Sequence, residues 1–298
     1  MRFERGTGVT IGTFDGVHIG HQKLIEKIVG VQGLEPTVFT FNENPGFVLH
    51  KQKKYYITDP KTRETIFLRL GIKNLIIQDF DEKFRSLSHG EWFEKYLIGI
   101  LNAKLVVVGT DFRYGLNGEG TVESLRKQCG EYGIQCMIIP PVKVGSMIVS
   151  STKIRRLISE GNIEQANVML GYPFTIRGNV VHGNGIGRIM GIPTANVIPV
   201  SNQVSPPYGV YASEVEIKGV RYKGVTNYGG RPTVGDITSI LETYILDFDE
   251  DLYGQEIVVH LKHKIRDIRK YRDLEELKKA IDKDIQTVYS DFPKEVQV

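Results

Sequence analysis

The chain has 298 residues, an apolar fraction of 41% and a net charge of +3. That length predicts two modest domains with ordinary hydrophobic cores, and the mild positive charge suits anionic small molecules while excluding the dense basic footprint of a nucleic-acid binder. Two cysteines, Cys129 and Cys136, exclude a disulfide framework and form no zinc pattern; segment 1–8 carries no secretory signal and the longest apolar runs, such as Leu105 to Val108, are strand-length, so a cytoplasmic protein without a membrane span is expected.

Along the chain, Val9 to Ile11 reads as a strand, followed by a Gly-rich turn and a helix over His21 to Val29 with Leu24, Ile25 and Ile28 at helical spacing. Thr37 to Phe41 is a strand; Thr58 or Asp59 caps a helix reaching Leu70, with Pro60 at its first position. Strands at Asn74 to Ile77, Lys104 to Val108 and Gln135 to Ile139 alternate with helices at His89 to Leu101 and Val122 to Tyr132. This alternation predicts a mostly parallel, doubly wound sheet with helices on both faces. Two helices come next, Ser151 to Glu160 and Ile163 to Leu170, the second closed by Gly171. Beyond Phe174 short strands crowd together at Thr175–Val181, Gly209–Ile217, Val220–Asn227, Leu241–Leu246 and Gln255–His260, the texture of a small antiparallel barrel or sandwich, before a last amphipathic helix from Leu274 to Val288. The expected domains are residues 1–171 and 172–298.

The turn from Gly12 to His21 joins the first strand to the first helix. Glycines there let backbone approach a phosphate, free N–H groups face outward at the helix start, and His18 and His21 add imidazole donors. A lone histidine in such a place is more often structural, and the other features have bland readings too: Phe39–Phe41 as a core strand, Asp111 and Arg113 as a surface ion pair, Ser150-Ser151-Thr152 as a helix cap. The second half holds the glycine-rich string from Gly183 to Asn196. It precedes no helix, which argues against a dinucleotide fingerprint and for a flap over phosphates. Thr194 and Asn196, two apart on a strand, share a face and can offer oxygen ligands to a hard cation.

In its strand–turn–helix setting, His18-Ile19-Gly20-His21 resembles the H-x-G-H of the nucleotidylyltransferase superfamily, and the longer G-x-F-D-G-x-H-x-G-H resembles the adenylylating domain of bacterial FAD synthetases. Phe39–Pro45, Gly109–Gly115 and Ser150–Arg155 resemble that family's later motifs in order, with Glu43 where a proline is usual and Asn44 where histidine is frequent. The resemblance implies adenylyl transfer from ATP to FMN. His18 and His21 would stabilise phosphate charge, Gly12, Phe14, Asp15, Gly16, Gly20, Asp111, Arg113, Ser151, Thr152 and Arg155 would hold ATP and its leaving pyrophosphate, and Asn44 would border the flavin.

Gly191-Ile192-Pro193-Thr194-Ala195-Asn196 is similar to the G-x-P-T-A-N hallmark of riboflavin kinases, and Gly209–Ala212, Asn227–Thr233, Glu242–Phe248 and Leu252–Gly254 come after it in that family's order. Ile192 and Tyr244 stand where the family often has Phe and His. Segment 265–271 falls where it usually reads R-D-E-x-K-F, with Ile268 in place of the Glu. The resemblance implies Gly183, Gly185, Gly187 and Arg188 over the ATP phosphates, Thr194 and Asn196 on Mg²⁺, Glu242 as catalytic base and Arg266 beside the flavin. Over the whole chain the motifs keep the order of the bifunctional riboflavin kinase/FMN adenylyltransferase family. That implies riboflavin, FMN, FAD, ATP, ADP and pyrophosphate as substrates and products, with Mg²⁺, and neither nucleic acid nor membrane as partner. Two alternatives are an enzyme with one working half and a flavin-binding regulatory module without turnover.

Overall fold

The protein is described by a computed structural model that covers residues 3–50, 55–183, 187, 191–200, 202–232 and 237–291. The basic cluster Lys51, Lys53 and Lys54, and Gly185 and Arg188 of the glycine-rich string, lie outside the described residues. Packing divides the chain into two compact units, Met1–Lys54 with Arg63–Ser151, and Tyr55–Thr62 with Thr152–Val298.

In the first unit β1 (Thr7–Ile11), β2 (Glu35–Phe41), β3 (Asn74–Gln78), β4 (Ala103–Gly109) and β5 (Gln135–Ile139) form a parallel sheet in the order β3-β2-β1-β4-β5. Alternating side chains split its core between two faces. Val9, Ile11, Phe39, Val106 and Val108 pack with Trp92, Phe93 and Leu125 on one side. Val38, Leu105 and Val107 pack on the other with Phe67 and with Leu24, Ile25 and Ile28 of α1 (Ile19–Ile28). The neighbours β1 and β4 flank the point where strand order reverses, so the loops leaving their carboxyl ends border one crevice.

Two short helices escape a sequence reading, α2 (Pro45–His50) and, after α3 (Pro60–Arg69), α4 (Glu82–Arg85). The helix expected over His89 to Leu101 begins as α5 (His89–Trp92) with a Ser88–Glu91 capping box, then widens to a π-helix over Phe93–Ile100. The wider turn keeps Trp92, Phe93, Tyr96, Leu97 and Leu101 buried together. After α6 (Val122–Glu131) and β5, the hairpin β6 (Lys143–Val144) and β7 (Met147–Ile148) leads to α7 (Ser151–Ser159) and α8 (Ile163–Leu170).

The division by packing falls at Ser151, ahead of the boundary expected at Gly171. Asn167 of α8 explains why this helix groups with the second unit: its Nδ2 donates to the carbonyls of Leu261 at 2.9 Å and Lys262 at 3.1 Å.

In the second unit β8 (Phe174–Val181), β9 (Thr194–Pro199), β10 (Gly209–Ile217), β11 (Val220–Pro232), β12 (Ile237–Ile245) and β13 (Glu256–Arg266) close an antiparallel barrel in the order β10-β11-β12-β9-β8-β13. β11 runs further than its glycines suggest, because Gly229 and Gly230 stay in the ladder opposite Ile240 and Ser239. Helix α9 (Leu274–Asp291) lays Ile285 and Val288 over Val210, Ala212 and Val225 on the barrel's outer wall. Residues 55–62 belong to this unit: Gln203 donates to the Ile57 carbonyl at 2.9 Å, and Arg177 reaches Asp59 at 3.5 Å and Glu256 at 2.9 Å. Asp59 caps α3 by accepting from the N–H groups of Lys61 and Thr62, each at 3.1 Å. Among the described residues no helix is long and apolar enough to cross a membrane.

Candidate functional site

In the first unit the turn after β1 makes a tight, buried knot. Phe14, Gly16 and Val17 take φ of 50°, 81° and 32°, and the side chains of Phe14 and Val17 are both fully buried. The Phe14 ring meets His21 edge-on, with centroids 5.1 Å apart. The side chain of Phe14, expected among the ATP-binding residues, is buried in this turn and packs against His21.

His18 is the N-cap of α1, its Nδ1 accepting the His21 backbone N–H at 3.3 Å. An accepting Nδ1 puts the proton of the neutral ring on Nε2. The two imidazoles stack with centroids 3.6 Å apart, and Gly20 makes this possible, since a Cβ there would lie 3.1 Å from the His18 ring. Burial lowers the His18 pKa to about 4, with the Asp111 carboxylate acting against the shift. Burial, then the neighbouring His18, drive the His21 pKa well down, and its Nδ1 is buried without a partner. At neutral pH both rings are therefore uncharged donors beside the first N–H groups of α1, an arrangement suited to anionic oxygens.

Two more expected residues, Asp15 and Ser151, meet at this knot. Ser151 Oγ donates to the Asp15 carbonyl at 2.8 Å, tying the start of α7 to the turn. Asp15 is buried, while Asp111 and Arg113, beyond the end of β4, are both exposed. Thr152 and Arg155 come next on α7; Arg155 Nε donates to the Tyr55 carbonyl at 3.1 Å. Asn44, expected on the flavin, spends its Oδ1 on the Gly46 N–H at 2.9 Å and so starts α2. Sequence reasoning missed Arg63. Its guanidinium is almost wholly buried and donates to the carbonyls of Thr13 at 3.1 Å and Phe41 at 3.3 Å, so one side chain braces the loops leaving β1 and β2. No spacing or motif announces an arginine used this way.

In the second unit the expected kinase residues converge. Antiparallel register sets Asn196 opposite Glu242 and Glu242 opposite Asn227, then Thr194 opposite Tyr244 and Tyr244 opposite Val225. These two rows share the outer face of the wall and line a pocket of about 330 Å³ under α9. Glu242 is exposed there and Asn196 buried. The ends of the glycine-rich string close on the same rows. A Cβ at Gly183 would lie 2.2 Å from Asn196 Nδ2, and one at Gly187 would lie 2.4 Å from the Ile192 carbonyl oxygen. At Gly187 the obstacle is backbone, so only glycine fits, whereas a side chain at Gly183 would displace the Asn196 amide.

Arg266 also lines the pocket, but its guanidinium is engaged by Asp284 of α9, with Nε at 2.9 and 3.0 Å and Nη2 at 2.7 Å. This pairing ties Arg266 to α9 at the pocket wall, where it was expected beside the flavin. Among the described residues no three His, Cys, Asp or Glu side chains gather as a cation site. Thr194 and Asn196 are nonetheless a hard, all-oxygen pair on one face. Asn196 Nδ2 leans 3.5 Å to the Thr194 carbonyl, leaving Oδ1 for a cation that brings phosphate oxygens with it.

Known proteins are similar to this chain in both of its halves. A family model for FAD synthetase matches residues 1–153, and one for riboflavin kinase matches residues 170–292. A bifunctional riboflavin kinase/FMN adenylyltransferase from Bacillus subtilis is 37% identical, covering 93% of this chain and 90% of the relative. A protein of the same name from Escherichia coli K12 is 37% identical, covering 97% and 94%. A solved structure from Streptococcus pneumoniae, described as a macrolide-efflux protein, is similar over 97% of this chain and 98% of that one, with a TM-score of 0.86 and 32% identity. The chain belongs to the bifunctional riboflavin kinase/FMN adenylyltransferase family.

Proposed function

We propose that the barrel unit phosphorylates riboflavin to FMN and the parallel-sheet unit adenylylates FMN to FAD, each with ATP. The observation that carries the reading is the register of β9, β12 and β11, which sets Thr194, Asn196, Glu242 and Asn227 in adjoining rows of one pocket wall. In the kinase step Glu242 accepts the proton of the riboflavin 5′-hydroxyl as that oxygen attacks the γ-phosphorus, and ADP leaves. Thr194 Oγ1 and Asn196 Oδ1 would hold Mg²⁺, which neutralises phosphate charge when bound. Gly183 and Gly187, with Gly185 and Arg188, would close over the phosphates.

In the adenylyl step an oxygen of the FMN phosphate attacks the α-phosphorus of ATP, and pyrophosphate leaves. That oxygen is already anionic, so no general base is required and the work is positioning. His18 and His21, with the N-terminal N–H groups of α1, donate to phosphate oxygens, and Gly12, Asp15, Gly16 and Gly20 shape the turn. Asp111, Arg113, Ser151, Thr152 and Arg155 complete the ATP site, and Asn44 acts on the flavin side through the loop it caps. The functional halves are assigned as residues 1–171 and 172–298, in the cytoplasm where ATP is supplied.

The test is a chromatographic time course with riboflavin, ATP and Mg²⁺ on the full chain and on Glu242→Gln. The wild type converts riboflavin to FMN and then FAD. The variant loses FMN formation by roughly 10²- to 10⁴-fold, while still making FAD from supplied FMN. Riboflavin phosphorylation at the wild-type rate by Glu242→Gln would overturn the assignment.

A further inference from the structure

We propose that Cys129 and Cys136 are a redox-modifiable dithiol, closed to a disulfide by exchange with a small disulfide, and that closing it slows the adenylyl step. The second part rests on the adenylyltransferase reading of this unit, in which neither thiol has a role. Cys129 lies in the last turn of α6 and Cys136 on β5, an edge strand of the parallel sheet. Gly133, at φ of 67°, turns the chain between them, and the Ile134 N–H donates back to the Cys129 carbonyl at 2.8 Å. Both side chains face the same layer of core, Cys129 within it and Cys136 packed against it. There the Cys129 thiol donates a hydrogen bond to Cys136.

The two thiols are not equivalent. Cys129 is fully buried, whereas Cys136 is partly exposed on the edge strand. The hydrogen bond from Cys129, aided by the Arg126 charge and opposed by burial, holds the Cys136 thiol below its usual range. The same bond, with burial, pushes the Cys129 thiol up. Cys136 is therefore the attacking thiolate and Cys129 the resolving thiol. The Cys136 sulfur attacks one sulfur of the small disulfide and expels the other as a thiolate. The hydrogen bond that kept the proton on Cys129 is then gone. The Cys129 sulfur attacks Cys136 Sγ, and its proton leaves with the second half of the reagent. Two protein thiols are oxidised and one disulfide is reduced to two thiols. In a reducing compartment such a bond is transient, which suits a switch better than a staple.

The link to the adenylyl step runs through Tyr114. Its phenol donates to Gln128 Oε1 at 2.5 Å and lies 3.3 Å from Ser124 Oγ, both on α6 and the first of them next to Cys129. Tyr114 is buried, and it ends the loop that carries Asp111 and Arg113. A covalent bond in place of the thiol contact draws the end of α6 toward β5. Gln128 and Tyr114 move with it, and the loop is displaced from the position the ATP site requires.

The test treats the full chain with an excess of oxidised glutathione, then measures its mass and its rate of FAD formation from supplied FMN. The wild type is expected to lose the mass of two hydrogens and to form FAD about fivefold more slowly or worse, with riboflavin phosphorylation unchanged. Dithiothreitol restores both mass and rate. Cys129→Ala stops at a glutathione mixed disulfide on Cys136, and Cys136→Ser takes up no glutathione and keeps its rate. Wild-type thiols that stay reduced overturn the proposal. So does a disulfide that leaves FAD formation unchanged, or a Cys136→Ser variant slowed by the oxidant as much as the wild type. A reduced wild type that makes no FAD from FMN overturns the adenylyltransferase reading instead, while the mass change still tests the dithiol.

Discussion

Replacing Asp284 with asparagine isolates the contact that fastens α9 over the kinase pocket. Asp284 is 2% exposed and receives three donor contacts from Arg266, at 2.9, 3.0 and 2.7 Å. Breaking one partner of a fully buried pair costs about 3–5 kcal/mol, because the remaining charge is left without compensation. The Arg266 side chain keeps 24% of its exposure, so water recovers part of that cost and about 2–3 kcal/mol is expected. For a unit of this size that is a fall of roughly 5–10 °C in the melting transition of the barrel. Riboflavin binding weakens as well, since Leu277 and Ile281 of the same helix wall the pocket. FAD formation from supplied FMN below the transition serves as the internal control and stays unchanged. Differential scanning calorimetry with separate kinase and adenylyltransferase assays reads all three. The companion variant R266M/D284L removes both charges and regains most of the lost stability, because no buried charge is then orphaned. A single variant that melts within about 1 °C of the wild type would refute the reasoning, as would a double variant less stable than the single.

Acid pH provides an independent check on the buried histidines. Burial holds the pKa values of His18 and His260 down at about 4, against 6.5 for the free side chain, so between those values the unfolded chain binds protons that the folded one refuses. Stability is therefore intact above about pH 6.5 and falls as pH drops toward 4, with about 2 kcal/mol lost per histidine by pH 5, measurable by urea unfolding at pH 7.5 and pH 5; equal stabilities would contradict it. Gly183→Ala drives a Cβ to 2.2 Å from Asn196 Nδ2 and is expected to cut riboflavin phosphorylation at least tenfold while leaving FMN adenylylation unaffected. A wild-type kinase rate in that variant would show that the Gly183 approach is not needed.

Much of this molecule was legible because its signals are periodic or local. Apolar strands at Val9–Ile11 and Leu105–Val108, with helical spacing at Leu24, Ile25 and Ile28, are enough to predict a parallel sheet covered on both faces, and the structure forms it. Thr194 and Asn196 announced a shared face by their spacing alone. The hidden features depend on partners distant in sequence. Nothing near Arg266 marks Asp284, eighteen residues on, as its counter-ion. Nothing near Arg63 says that its charge ends on the carbonyls of Thr13 and Phe41. Gly229 and Gly230 read as punctuation, yet the barrel carries its ladder through them, because closure supplies a partner strand that local propensity does not count.

The histidine turn shows why a motif can be recognised before its parts are understood. Its glycines suggest a loop shaped for phosphate, and every residue in it then invites a ligand-binding role. The backbone distributes the labour differently. Phe14 and Val17 sit at φ of 50° and 32°, where a side chain costs about 1–3 kcal/mol each. Each of those side chains is fully buried, which returns about 1.5–3 kcal/mol apiece. The two terms are of the same size, so the strained turn persists because its apolar residues are plugged into the core. Asp15 and Gly16 are then carried by the loop, and His18 and His21 are stacked by the helix that starts beyond it. Replacing either plug with a small residue would remove the offset and leave the strain. Phe14 and Val17 are therefore as necessary to the geometry of the histidines as the glycines are.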